Sequence, residues 1–370
     1  MLSQLIIGAL SAALSLLITP LVRALAIHFG AVDKPREGDI PRIRKPRLGG
    51  LALTLTFLFT GIFAAMTNLL PAHLVFEFIW HGRWVVAASL IILGVGIADD
   101  VYGLPATTKL VFQTFAAAIV LLEGHAISII INPFTGSRTD LAWLSAPITL
   151  IWIVGITNAV NLIDGIDGLA AGVALIASAS IWAMSTAAGI DGFSFVAAAL
   201  SGALAGFLWF NFHPAKTLLG DSGSLLLGFL LSLFSLQVSR GLDRGVPILT
   251  PILMLWLPIT DTLLAILRRL TSNKQEATQN RNSRWFSAAT RIRAVFRADQ
   301  DHIHHRLLTK VNPRQAVYIL YALTAATNIM ALATIDTRPI GNLAVMGGIG
   351  LSTYLGLRKL GYWPFKLPDR

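Results

Sequence analysis

Eleven long apolar runs decide what this 370-residue chain can fold into. They fall at about 3–27, 49–69, 83–98, 109–123, 142–160, 168–188, 193–211, 222–239, 247–267, 316–335 and 340–357. A helix needs roughly 17–25 apolar residues to cross a bilayer, so most runs suffice and the third and fourth are short. Only 13% of the residues are charged and 55% are hydrophobic. A soluble domain would be roughly a quarter charged, and no water-soluble core could absorb the surplus. The expectation is an all-α, polytopic integral membrane protein with about 11 spans and one catalytic domain over 1–370. The first run lacks a basic flank before it and is too long for a signal peptide, so it counts as a span.

Charge then orients the chain. Of the 29 Lys and Arg, 24 fall at Arg23, in loops after odd-numbered spans, or at the C-terminus. The other side holds Arg83, Arg138, Arg240, Arg244 and Arg338. The positive-inside bias therefore makes the basic side cytoplasmic, with the N-terminus outside and the C-terminus inside. It also accounts for the net charge of +10 without nucleic acid as a partner. There are no cysteines, which excludes disulfides and thiolate metal sites.

One long polar insert runs from Thr271 to Asn312. Within it, Trp285, Phe286, Ala289, Ile292 and Phe296 oppose Arg284, Arg291, Arg293 and Arg297 at helical spacing. This reads as a basic amphipathic helix on anionic lipid, or as a packed surface helix.

The polar clusters all lie in loops of the basic side. They are "ADDVYGL" with Asp99 and Asp100; "NAVNLIDGIDGLAAG" with Asn158, Asn161, Asp164 and Asp167; "FNFHPAKTLLGDSGS" with Asn211, His213, Lys216 and Asp221; and "ADQDHIHHRL" with Asp299, Asp301, His302, His304, His305 and Arg306. Each has a plain explanation alone. Asp99 and Asp100 could cap a helix, "GDSGS" could be an N-cap, and the Asp-Gly pairs suit turns. Four such coincidences on one side describe a single site. Crowded carboxylates without thiolates favour a hard divalent ion, Mg²⁺ or Mn²⁺, which commonly binds one or two carboxylates plus substrate phosphates. Lys109, Arg306 and the histidines can neutralise phosphate oxygens, and "GDSGS" offers N–H groups at a helix start. No HExxH motif supports a zinc peptidase.

Together these residues resemble the polyprenyl-phosphate N-acetylhexosamine-1-phosphate transferases, a family that includes, more distantly, the translocase forming lipid I. Five motifs carry the resemblance in order: "PRLGG"; Asp99, Asp100, Gly103, Leu104, Lys109 and Gln113; "NLIDGIDGLAAG"; "FNFHPAK…GDSGS"; and "PITDT…RR…D..HIHHRL". "HIHHRL" is similar to the GlcNAc branch. By resemblance, Asp221 matches the Mg²⁺ ligand. Asp99 and Asp100 match a catalytic aspartate pair. Asn161, Asp164, Asp167 and Asn211 match residues lining the nucleotide-sugar site. His302, His304, His305 and Arg306 match a motif contacting the sugar nucleotide or its phosphates, with Lys109 also at the substrate. Leu218 stands where the family often has an aromatic residue, and the insert between Arg269 and Asp299 is longer than usual.

The resemblance implies transfer of an N-acetylhexosamine-1-phosphate, GlcNAc-1-phosphate foremost, from a UDP-sugar to polyprenyl phosphate, with release of UMP. It implies a bacterial plasma-membrane enzyme that starts cell-envelope glycans and has its site in the cytoplasm. A second copy of the chain is a candidate partner. The lipid phosphate either attacks the donor directly or accepts the group from a phospho-aspartate. The alternatives are a sister enzyme using UDP-MurNAc-pentapeptide or another UDP-sugar, and a cation-coupled transporter. A transporter should carry paired acids near mid-span, whereas Asp261 and Glu123 pair with nothing obvious in the sequence.

Overall fold

The computed structural model describes residues 1–33, 45–71, 82–132, 137–241, 249–279 and 302–333, with isolated positions between and beyond them. The expected amphipathic helix at 284–297, Asp299, Asp301 and most of the run at 340–357 lie outside the described residues. The helices are α1 (Leu2–His28), α2 (Gly49–Met66), α3 (Arg83–Tyr102), α4 (Ala106–Leu122), α5 (Ser145–Ile163), α6 (Leu169–Ala187), α7 (Asp191–Asn211), α8 (Gly220–Gly241), α9 (Leu249–Met254), α10 (Trp256–Gln279), α11 (Ile303–Leu308) and α12 (Pro313–Ala333). Eight of them are long and apolar enough to cross a membrane, and the chain is a multi-pass membrane protein. The expected short fourth span is α4, with 17 residues.

The expected ninth span is broken. It forms α9 and α10, parted at Leu255. Pro258 has no N–H to give the carbonyl four residues back, at Met254. Asn328 of α12 supplies the donor instead, its Nδ2 lying 3.2 Å from Met254 O. A two-stranded antiparallel hairpin, β1 (Ile129–Ile131) with β2 (Arg138–Asp140), joins α4 to α5 and adds a small sheet to the all-helical expectation.

In lipid, helices gain little from burying apolar side chains against each other, so close backbone approach carries much of the packing. On α7, Gly202 and Gly206 form a GxxxG step against Gly8 and Ala12 of α1. At the far end of that crossing, Gln4 Nε2 donates to Ser194 Oγ at 2.6 Å, and its Oε1 accepts from Trp182 at 3.2 Å and Thr186 at 3.1 Å. The central helix is α8, with 83% of its spanning window buried against 33% for α1. Glycines clear its path. A Cβ on Gly50 of α2 or Gly96 of α3 would overlap the Ser222 backbone, and one on Gly228 would lie 2.7 Å from Thr157 Cα of α5.

Helix direction alternates along the bundle. The C-terminal ends of α1, α3, α5 and α7 therefore gather with the N-terminal ends of α2, α4, α6 and α8. The polar loops collect at that end.

Candidate active site

The site is organised around the start of α8. Gly220 takes φ +70°, a region that favours glycine, and a Cβ there would sit 2.5 Å from Asp100 Oδ2. The first N–H groups of a helix lack partners within it. Asp100, 6% exposed at the end of α3, supplies them. Its Oδ1 accepts the Asp221 N–H at 2.9 Å and its Oδ2 the Ser222 N–H at 3.1 Å. The Arg47 guanidinium lies 3.8 Å from Asp100 and hydrogen-bonds Asp33 at 2.5 Å. Burial works against the Arg47 charge, but the Asp33, Asp100 and Asp221 carboxylates outweigh it and raise its pKa further.

Asp99, adjacent in sequence, turns elsewhere. Its Oδ1 accepts the Leu104 N–H at 2.6 Å, and its Oδ2 lies 3.1 Å from Lys109 Nζ. Lys109 also reaches Asp221 Oδ2 at 2.6 Å, so one ammonium bridges two acids from α3 and α8.

The "NLIDGIDG" stretch caps α5 and starts α6. Asn161 Nδ2 donates to Ser224 Oγ of α8 at 2.8 Å, and Asn158 Nδ2 to Gln113 Oε1 of α4 at 2.6 Å. Its two acids diverge. Burial, reinforced by the Asp221 and Asp100 charges, holds the pKa of Asp164 well above the carboxylate range. Burial pushes Asp167 up too, but there its partners win and its pKa is lowered. Lys45 Nζ lies 3.0 and 2.8 Å from its two oxygens, the Ala215 N–H 3.0 Å away and His213 Nδ1 3.1 Å away. Gly168, at φ +81°, has its carbonyl bonded by Tyr321 of α12 at 2.5 Å.

Asn211 is closed into the backbone, donating to Thr217 O at 2.9 Å, and is only 2% exposed. Leu218, the non-aromatic departure, donates its N–H to Pro46 O at 2.7 Å and ties this loop to the one before α2.

The histidine segment is anchored from α10. Asp261 Oδ2 meets His302 Nδ1 at 2.7 Å, and its Oδ1 accepts the Ile303 N–H at 2.7 Å. The His302 and His304 rings lie parallel with centroids 5.5 Å apart, and His305 is 4.4 Å from His304. His304 is 2% exposed and packs on Gly165, where a Cβ would overlap its Nε2. Burial, more than its neighbours, lowers its pKa to about 4. His305 and Arg306 lie half-buried on α11.

All the described sequence-derived residues therefore meet at one end of the bundle. Asp261 of "PITDT" and Arg47 of "PRLGG" join them with defined partners, and Lys45 and Tyr321 join them without a motif to mark them. Asp261 carried a signal, because an acid in an apolar run needs a partner. Lys45 was hidden in a densely basic loop. Among the described residues, no three or more His, Asp or Glu form a ready metal cage. Asp99 and Asp221 sharing one cation fit an ion that takes one or two carboxylates and completes its shell with phosphate oxygens.

The profile of glycosyl transferase family 4 matches residues 83–239. A Bacillus subtilis (strain 168) protein, "Probable undecaprenyl-phosphate N-acetylglucosaminyl 1-phosphate transferase", is 36% identical over 86% of this chain and 81% of its own length. A Mycobacterium tuberculosis protein, "Decaprenyl-phosphate N-acetylglucosaminephosphotransferase", is 33% identical over 96% of this chain and 89% of its own length. A "Phospho-N-acetylmuramoyl-pentapeptide-transferase" of Halalkalibacterium halodurans is 28% identical over 61% of this chain and 71% of its own length. Similarity that runs through both the bundle and its polar end makes this chain a member of glycosyl transferase family 4.

Proposed function

We propose that this protein transfers N-acetylglucosamine-1-phosphate from UDP-GlcNAc to a polyprenyl phosphate, giving polyprenyl-diphospho-N-acetylglucosamine and UMP. The observation that carries this is the Lys109 bridge between Asp99 and Asp221, with Asn161 bonded to Ser224 one turn into the same helix, Asp164 within reach of the Asp221 charge, and His304 packed on Gly165 next to Asp164. The GlcNAc relatives match over most of both chains, and the MurNAc-pentapeptide relative over 61% of this one, which favours GlcNAc.

A lipid phosphate sits at the headgroup plane, and the donor is dissolved in water. A polar cleft at the end of a spanning bundle lets them meet, with the bilayer keeping the acceptor near. Arg23, Lys45, Arg47, Lys109, Lys216, Arg306 and Arg314 belong to the loops and helix ends of that face, which supports a cytoplasmic site in the bacterial plasma membrane, N-terminus outside and 11 spans.

In the reaction, an oxygen of the lipid phosphate attacks the donor's β-phosphorus. The bond to the α-phosphate breaks, and UMP leaves. Asp99 keeps the acceptor phosphate ionised. Asp100 holds the start of α8, and with both oxygens occupied by N–H groups it is a poor nucleophile. Lys109, His305 and Arg306 balance phosphate charge, and Asp164 and Asn161 line the donor side. Asp221 would hold Mg²⁺, with Mn²⁺ as a substitute, and the ion would neutralise the diphosphate.

The test is UMP release by the purified protein with undecaprenyl phosphate, Mg²⁺ and a panel of UDP-sugars. Release with UDP-GlcNAc, stopped by EDTA, is expected. Preference for UDP-MurNAc-pentapeptide, or no release with any donor, overturns the proposal.

A further inference from the structure

Asp261 lies in α10 and contacts none of Asp99, Asp164 or Asp221 by a hydrogen bond or ion pair among the described residues. It is 1% exposed. A carboxylate so deep in an apolar bundle is costly unless its oxygens are satisfied. Both are satisfied by the segment carrying the histidines: Oδ2 by His302 Nδ1 at 2.7 Å and Oδ1 by the Ile303 N–H at 2.7 Å.

Two consequences follow from one side chain. A carboxylate can only accept, so the His302 proton on that side resides on Nδ1, and Nε2 is the ring nitrogen left for anything else. The Ile303 bond also fixes where α11 begins, and with it the side chains of His304, His305 and Arg306. His302 in turn lies parallel to His304, which packs on Gly165 between Asp164 and Asp167.

We propose that Asp261 is a positioning residue for the transfer reaction. It locks the His302 ring with its proton on Nδ1 and sets the start of α11, so that His302 Nε2 is presented to the phosphates of the sugar nucleotide. The inference rests on the reaction proposed above. In Asp261→Asn the amide keeps the shape but offers one acceptor and one donor to two N–H partners, so one contact turns repulsive. The ring then moves its proton to Nε2.

The experiment uses the full-length protein in lipid. Imidazole ¹⁵N spectra report the His302 tautomer, and UMP release from UDP-GlcNAc is measured for D261N, H302Q and the double variant. The expected result is an Nδ1–H ring in the parent and an Nε2–H ring in D261N. D261N should lose at least about 30-fold in UMP release, and D261N/H302Q should be no slower than H302Q within about threefold. Multiplying losses in the double variant, or an unchanged tautomer in D261N, would reduce Asp261 to a structural residue and overturn the proposal. Should D261N fail to fold, D261E keeps the charge. It must retain the Nδ1–H ring and part of the activity, and an Nε2–H ring there is equally fatal. If the parent releases no UMP from any donor, the proposed reaction fails, and the tautomer spectra still decide what Asp261 does to His302.

Discussion

Asp100 at the end of α3 grips the start of α8, accepting the N–H groups of Asp221 at 2.9 Å and Ser222 at 3.1 Å, while Asp99 beside it faces Lys109. Two consecutive acids thus have separate tasks. Asp100→Asn leaves one acceptor for two buried donors and should cost about 1–3 kcal/mol of stability. Asp99→Asn should cost less stability and lose more UMP release per folded molecule. Thermal unfolding in detergent beside UMP release separates the two.

Gly96 and Gly94 lie on the same helix and should respond oppositely. A Cβ on Gly96 would overlap the Ser222 backbone, and one on Gly94 meets nothing within 4 Å. Gly96→Ala should destabilise by about 1–3 kcal/mol through overpacking and displace Asp221. Gly94→Ala should be neutral or stabilise by up to about 1 kcal/mol from helix propensity. Melting temperatures of the two variants test this, and equal losses would refute the packing assigned to α8.

Asp164 opposes stability in the service of the site. Its folded pKa lies well above its ordinary 3.8 because of burial and then the Asp221 and Asp100 charges. Between 3.8 and that raised value the folded state binds more protons than the unfolded one, so stability falls as pH rises through the window and stays lower above it. In EDTA at pH 7, Asp164→Asn should therefore melt higher than the parent while releasing UMP far more slowly. A lower melting temperature contradicts the assignment.

His304 has the opposite sign. It is neutral when folded, with its pKa lowered to about 4 from 6.5. As pH falls from 6.5 toward 4, the unfolded chain gains a proton that the folded chain refuses. Stability present at neutral pH is then lost, by about 3 kcal/mol at the acid limit. His304→Gln should flatten that part of the curve of melting temperature against pH between 7 and 4.

Much of this was legible beforehand. The apolar runs announced the spans because lipid cannot hydrate a backbone, and the loops carrying carboxylates announced a site because charge beside lipid must be justified. The break at Leu255 was less visible, since a proline in a span is tolerated when a neighbour such as Asn328 fills the orphaned carbonyl. The hairpin of β1 and β2 was lost between two stronger helical patterns.

The sequence by itself determined a multi-pass helical membrane protein, its family and the loops that carry the chemistry, because hydropathy and residue type are properties of the chain read locally. Only the tertiary structure decided the division of labour: Asp100 to a helix start, Asp99 and Asp221 to a shared lysine, Asp167 to Lys45 and His213, Asp261 to His302. A carboxylate's task depends on the donors within about 3 Å of it, and for all of these but Asp99 those donors come from segments far away along the chain.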